Sequence, residues 1–229
     1  MSREINSTQK DSKFTEQESH PLSKERIIST ALNLVDSQGL DALSMRNLAQ
    51  LLGVKAMSLY NHVQNKDEII DLMIDHVIGL IEVPDAQDGW IDVMRCRAIS
   101  LYKALSNHPW ALTATISRVT IGPSRIGFIE QTLAILNRYR ISLPLADHIM
   151  TALDSYTYGF VLQEINMPIQ KEDYSQAAEH YLPTIETTRY PHFTQLAQEI
   201  IVGRYDGINH FEFGLELLLQ GLEKKIQTS

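Results

Sequence analysis

The stretch Ser44 to Ile70, "SMRNLAQLLGVKAMSLYNHVQNKDEII", holds three helix starts separated by a tight turn and a short gap. Ser44 stands where an N-cap belongs, and Leu48, Leu51 and Leu52 follow at helical spacing. Gly53 ends that helix, because glycine tolerates the left-handed backbone of a C-terminus. After a few residues Leu59 and Val63, four apart, resume an inward face, and Asn65 caps a further helix with Asp67 and Glu68 at the positive end of its dipole. Between Leu52 and Lys66 there is no carboxylate, although the segment holds Lys55, Ser58, Tyr60, Asn61, His62 and Lys66. With Leu59 and Val63 turned inward, Ala56, Met57, Ser58, Tyr60 and Asn61 turn outward or sideways. Small side chains let a helix approach a DNA groove, methyl groups meet the thymine methyl, and Ser, Asn, Lys and His hydrogen-bond base edges or phosphates. A carboxylate there would repel phosphate. On pattern alone a small helical bundle with a polar third helix remains the alternative.

Working outward, Ser23 caps a preceding helix carrying Ile27, Ile28, Ala31, Leu32 and Val35 on one face, and Gly39 closes it. Two short helices joined by a Gly-containing turn, with one helix before and one after, outline a helix-turn-helix head over residues 23–70. Residues 1–22 are polar, lack apolar periodicity and are expected to form a flexible arm. The chain carries a net charge of −8, which by itself argues against a nucleic-acid partner. The distribution reverses that argument for the head. Residues 23–66 hold five basic and three acidic side chains, whereas residues 67–229 hold 12 and 21. A slightly basic head on an acidic body permits polyanion binding through the head alone.

The string "IISTALNLVDSQGLDALSMRNLAQLLGVKAMSLYNHVQNKDEIIDLM" resembles the tetracycline-repressor (TetR) family. The resemblance implies that Arg46 reaches bases, where a guanidinium fork suits guanine O6 and N7. It implies that Ala56 and Met57 meet base edges. The founding repressors carry a polar residue and a proline at those two positions, so a different operator sequence is expected. Ser44, Ser58, Tyr60 and His62 fit the phosphate-contacting set, Lys66 fits a backbone clamp, and Lys55 fits either role. Phosphate contacts set register, while Arg46 and the third helix would carry the sequence information.

From Trp90 onward the pattern is helix after helix, punctuated at Pro109, Gly122–Pro123, Pro144, Pro168, Pro183 and Pro191, and no alternating strand pattern persists. The fold class is therefore all-α, an N-terminal three-helix head joined to a larger helical domain over 71–229. "HPW", "GP" and "YGFVLQE" extend the resemblance more loosely to the regulatory half of the tetracycline-repressor branch. In "LADHIMTALDSYTYGFVLQEI" and "FEFGLELLLQGLEKKI" the apolar residues surround more than one side, so a second side needs a partner. The resemblance implies a four-helix bundle at a two-fold axis, with Leu153, Phe211, Gly214, Leu215, Leu218 and Leu222 expected in the interface. Their burial within one subunit's core is the alternative.

Polar groups strung among aromatics suggest a ligand cavity. The candidates are Tyr102, His108, Trp110, His148, Tyr156, Phe160 and Gln163, with Asp154, Tyr158 and Glu164 beside them. An aromatic stripe at helical spacing equally suits a plain core. Tetracycline is not assigned as the ligand, because "ALTATISRVTIGPSRIG" holds no His to ligate a magnesium chelate. Residues 167–206 are expected to be a mobile connection with a short helix near Thr194 to Ile201 and a lid at Tyr190 or Phe193. No metal-binding spacing, G-x-S-x-G or glycine-rich phosphate loop occurs, so neither a cofactor nor catalysis is expected. The single cysteine, Cys96, excludes an internal disulfide. With no apolar run of membrane-spanning length and no secretory signal, a cytoplasmic location without a membrane partner is expected. These readings converge on a homodimeric regulator, expected to repress from a palindromic operator on double-stranded DNA and to be released by a small-molecule effector. The alternatives are a constitutive or architectural DNA-binding protein and, more remotely, a helical enzyme; an architectural protein would not require so large a helical body.

Overall fold

A computed structural model describes residues 21–85, 89–119, 121–169 and 173–227, so the expected N-terminal arm lies almost wholly outside the described residues. Helix α1 (Lys24–Gln38) starts where the Ser23 hydroxyl accepts the Arg26 N–H at 3.2 Å and stops at Gly39, whose φ of 80° favours glycine. A short 3₁₀ turn, Leu40–Ala42, leads to α2 (Met45–Leu52), capped by the Ser44 hydroxyl on the Asn47 N–H at 3.1 Å. Gly53, left-handed at φ 69°, ends it. The third helix, α3 (Ala56–Leu59), is one turn long and continues as turns to His62, so it is shorter than the spacing suggested. Leu59 and Val63 are nevertheless both buried, as the pattern requires. Leu51, read as inward, is 58% exposed, because α2 is short enough to bury only Leu48, Ala49 and Leu52.

Helix α4 (Lys66–Gly79) follows. The Asn65 side chain accepts the Glu68 N–H at 2.9 Å, and the Glu68 carboxylate reaches back to the Gln64 N–H at 2.6 Å and to Lys24 of α1 at 2.9 Å. This reciprocal capping staples the start of α4 to α1. Along α4, Ile69, Ile70, Met73, Ile74, Val77 and Ile78 share one core with the head and with Leu101, Leu105, Ala111 and Leu112 of the body. The expected division at residue 70 therefore falls inside a helix whose apolar face packs continuously.

The body comprises α5 (Trp90–Asn107), α6 (Pro109–Ser117), α7 (Pro123–Arg138), α8 (Leu143–Ile165), α9 (Tyr174–Tyr181), α10 (Pro191–Ile201) and α11 (Phe211–Gln227), with no strand among the described residues. Pro109, Pro123, Pro144 and Pro191 each sit in a first helical turn, where a missing N–H costs nothing. A second core joins α5, α7, α8 and α11 through Met94, Leu136, Ile149, Leu153, Phe211 and Leu215. At its edge the fully buried Arg97 of α5 makes a bidentate pair with Asp154 of α8, at 2.6 and 3.1 Å, and donates to Thr132 of α7 at 3.1 Å. Its guanidinium lies 4.2 Å from the centre of the Phe128 ring. In the expected connection the short helix near Thr194 to Ile201 is present as α10, and α9 is an additional helix that packs against it. No described helix is long and apolar enough to cross a membrane.

Candidate DNA-reading head and effector cavity

The one-turn α3 and the start of α2 present the predicted reading surface. Lys55, Ala56, Met57, Tyr60 and Asn61 are exposed, Met57 to 75%, while Ser58 and His62 are half-buried. Arg46 is exposed at the second position of α2, and Ser44, whose hydroxyl caps the helix, is half-buried. Lys66 is the first residue of α4 and is half-buried. Met57 and Tyr60 stand exposed beside the polar residues of the same turn. That exposure suits a surface that acquires a partner.

Three polar ties hold this head to the body. On α1, Asp36 Oδ1 accepts the Trp110 Nε1–H at 2.7 Å and lies 2.9 Å from His108 Nδ1. On α4, Asp71 and Asp67 accept Arg118 Nε and Nη1 at 2.9 and 3.0 Å. Farther along α4, Asp75 accepts the backbone N–H groups of Ser124 and Arg125 at 3.0 and 3.2 Å, capping α7 from outside. Gly122 is needed for that approach, because a Cβ there would lie 2.8 Å from Asp75 Cβ. His108 and Trp110, predicted as ligand contacts, are thus corrected to the head–body junction. His148 is exposed near the start of α8 and is not among the residues that line the cavity between α8, α9 and α11.

A cavity of about 460 Å³ opens between α8, α9 and α11, of a size usual for drug-sized ligands. Tyr156, Phe160 and Gln163 line it as predicted, with Glu164 beside them. Tyr102 stands one layer behind, donating its hydroxyl to Glu164 at 2.8 Å and stacking on Phe211 with ring centres 4.5 Å apart. Burial, then the Glu212 charge, raises the Tyr156 hydroxyl above its ordinary pKa, and that hydroxyl donates to the Phe211 carbonyl at 2.7 Å. Met167, Ile169, Tyr174, Ile208, Asn209, His210 and Phe213 also line the cavity and escaped the sequence reading, because they are spread over loops, α9 and α11 with no shared periodicity. Neither Tyr190 nor Phe193 is among its lining residues, whereas Tyr174 of α9 is.

Of the predicted interface residues, Leu153, Phe211 and Leu215 are corrected to the subunit core, while Gly214, Leu218 and Leu222 are only half-buried in it. Leu218 and Leu222 pack on that core. Gly214 faces Tyr156 of its own chain, where a Cβ would come within 2.7 Å of Tyr156 Cζ. The outward face of α11 instead carries Phe213, Leu217 and Gly221, and α8 offers Thr151, Ser155 and Leu162. Both faces of α11 are apolar, so the sequence pattern could not say which one turns inward.

Comparison with known proteins matches this arrangement. Residues 27–73 match the family described as "Bacterial regulatory proteins, tetR family", and residues 83–226 match "Tetracyclin repressor-like, C-terminal domain". The transcriptional repressor DrrR1 of Streptomyces coeruleorubidus is 31% identical over 215 residues, covering 88% of this chain and 77% of that protein. The class D tetracycline repressor of Escherichia coli is 27% identical over 212 residues, covering 90% and 91%. Among solved structures, ActR of Streptomyces coelicolor in complex with actinorhodin superposes with a TM-score of 0.73 at 32% identity, over 90% of this chain and 99% of that one. The chain belongs to the TetR family, and it is a ligand-responsive transcriptional regulator with a helix-turn-helix DNA-binding head and a helical effector-binding body.

Proposed function

We propose that the protein acts as a homodimeric repressor on a palindromic operator and is released when a small molecule enters the cavity between α8, α9 and α11. The observation that carries this reading is the set of polar ties from α1 and α4 to α6 and α7. Through them the body sets the direction of the head, and a dimer binds a two-fold site only if its two heads match successive major grooves. The effector shifts that match only by its preference for one of two conformations, and operator DNA weakens effector binding by the same factor. Helix α4, tied at Asp67, Asp71 and Asp75, is the lever. ActR, a structural relative, holds actinorhodin, and that supports a small-molecule effector here.

Arg46, Ala56 and Met57 read bases, Lys55 and Asn61 contact the groove, and Ser44, Ser58, Tyr60, His62 and Lys66 hold phosphates. The dimer forms through the outward faces of α8 and α11. The test is selection of random duplex DNA by the purified protein at near-physiological salt, followed by sequencing. A two-fold symmetric motif is the expected result; the absence of any enriched motif would replace this reading with that of an architectural binder. The lever itself is tested by crosslinking α4 to the body: if effector-driven release survives the crosslink, α4 is not the moving part.

A further inference from the structure

A second cavity, of about 360 Å³, opens between α6, α8 and the connection from α6 to α7. Thr115 and Ile116 of α6, Val119 and Ile121 of the connection and Tyr158 of α8 line it. Neither Thr115 nor Tyr158 is among the lining residues of the cavity between α8, α9 and α11. The two hydroxyls on this second cavity are idle. Elsewhere, the buried hydroxyls of Thr132, Thr157 and Thr194 each donate to the carbonyl four residues earlier, at 2.8, 2.8 and 2.9 Å. Thr115, 5% exposed, has the same helical opportunity, yet its buried hydroxyl has no partner among the described residues. The Tyr158 hydroxyl feels the charges of Asp154, Arg125 and Arg97 but hydrogen-bonds no described residue.

A buried hydroxyl without a partner is costly, and folded proteins rarely leave one so. Two on one cavity suit a ligand that supplies the missing acceptor. Burial, then the Asp154 carboxylate, pushes the Tyr158 hydroxyl up to about 12, so at neutral pH it keeps its proton and offers a donor. Thr115 offers another. The mouth is aliphatic, with Ile116, Val119 and Ile121 exposed. We propose that this cavity is a second ligand site, which takes a compact apolar ring bearing a carbonyl oxygen, hydrogen-bonded by Tyr158 and Thr115. A carbonyl oxygen has two lone pairs and can accept from both hydroxyls, while the three aliphatic side chains cover the ring. Arg118 lines the same cavity and donates to Asp71 and Asp67 of α4 at 2.9 and 3.0 Å, so a ligand here lies against a tie that holds the head. The site is independent of the effector reading of the other cavity.

The experiment is ligand-observed NMR titration of the full-length protein, without DNA, with acetophenone and with isopropenylbenzene, in which a methylene group replaces the carbonyl oxygen. Acetophenone is expected to bind about fivefold more tightly, the gain of one net hydrogen bond. Tyr158→Phe and Thr115→Val should each lower that ratio and together bring it near one, while isopropenylbenzene binds as before, which also reports a folded cavity. Thr115→Val should leave Tm unchanged or raise it, because the native hydroxyl has no bond to lose. Failure of acetophenone to bind the native protein, equal affinity for the two probes, or a ratio unchanged in the double variant overturns the site. A lower Tm in Thr115→Val does so too, since the hydroxyl would then already be engaged. These outcomes leave the effector reading where it stands, because neither residue is among the lining of that cavity.

Discussion

Arg46 and Lys66 illustrate how differently two cations of one head are expected to behave. Arg46, exposed near the N-terminus of α2, has the guanidinium fork that pairs bidentately with guanine, so Arg46→Ala should lose about 1–3 kcal/mol on the operator and relax preference at one base pair. Lys66→Ala should weaken all sequences alike and reduce the salt slope by about one. Binding measured on operator and on random duplex at several salt concentrations distinguishes them, and equal losses for Arg46→Ala on both would remove it from base readout. Tyr158 gives a spectroscopic prediction. Burial, then the nearby Asp154 carboxylate, pushes its hydroxyl up to about 12, against about 10 in an unfolded chain. Between those values the unfolded chain has lost a proton that the folded one keeps, so this group's contribution to stability declines as pH rises through the interval. Phenolate absorbance should show a tyrosine titrating late, and its disappearance in Tyr158→Phe would assign it.

At the scale of elements, the caps decide where helices begin and which neighbours they join. Ser23, Ser44 and Asn65 cap α1, α2 and α4 as their positions in the chain predict, since a cap is a local interaction across three residues. Asp75 capping α7 is a different matter, because α4 and α7 lie far apart in sequence and nothing local couples them. Glu68 belongs to both kinds: it closes the capping exchange at α4 and binds Lys24 of α1. Glu68→Ala should therefore destabilise the protein by about 1–2 kcal/mol, measured by urea unfolding. The Gln64 N–H, then Lys24, holds the Glu68 carboxyl below the usual carboxylate range. Its stabilising contribution is accordingly full above the unfolded value and fades as pH falls through the folded one, so native and Glu68→Ala proteins should converge in acid. The one-turn α3 was less legible. Its inward residues, Leu59 and Val63, are four apart whether the intervening backbone is helix or turn.

For the whole molecule, the decisive feature is which faces of α8 and α11 are already covered. Leu215 and Leu219 are fully buried in the subunit, whereas Leu217 is 57% and Phe213 71% exposed. Glutamate at Leu217 should give a folded monomer in sedimentation. Glutamate at Leu215 should instead unfold the body, because it puts a charge into a closed core. A Leu217→Glu protein that stays dimeric would move the interface elsewhere. The sequence by itself determined most of the helix order, the local caps and the slightly basic head with its carboxylate-free stretch from Leu52 to Lys66, because these depend on contacts within a turn or two of chain and on charge counted along it. Only the tertiary structure decided which side of a doubly apolar helix faces inward, that His108 and Trp110 serve the head–body junction, and that loop residues complete the cavity. Those outcomes depend on contacts between residues far apart in the chain, where periodicity constrains a face but does not choose its partner.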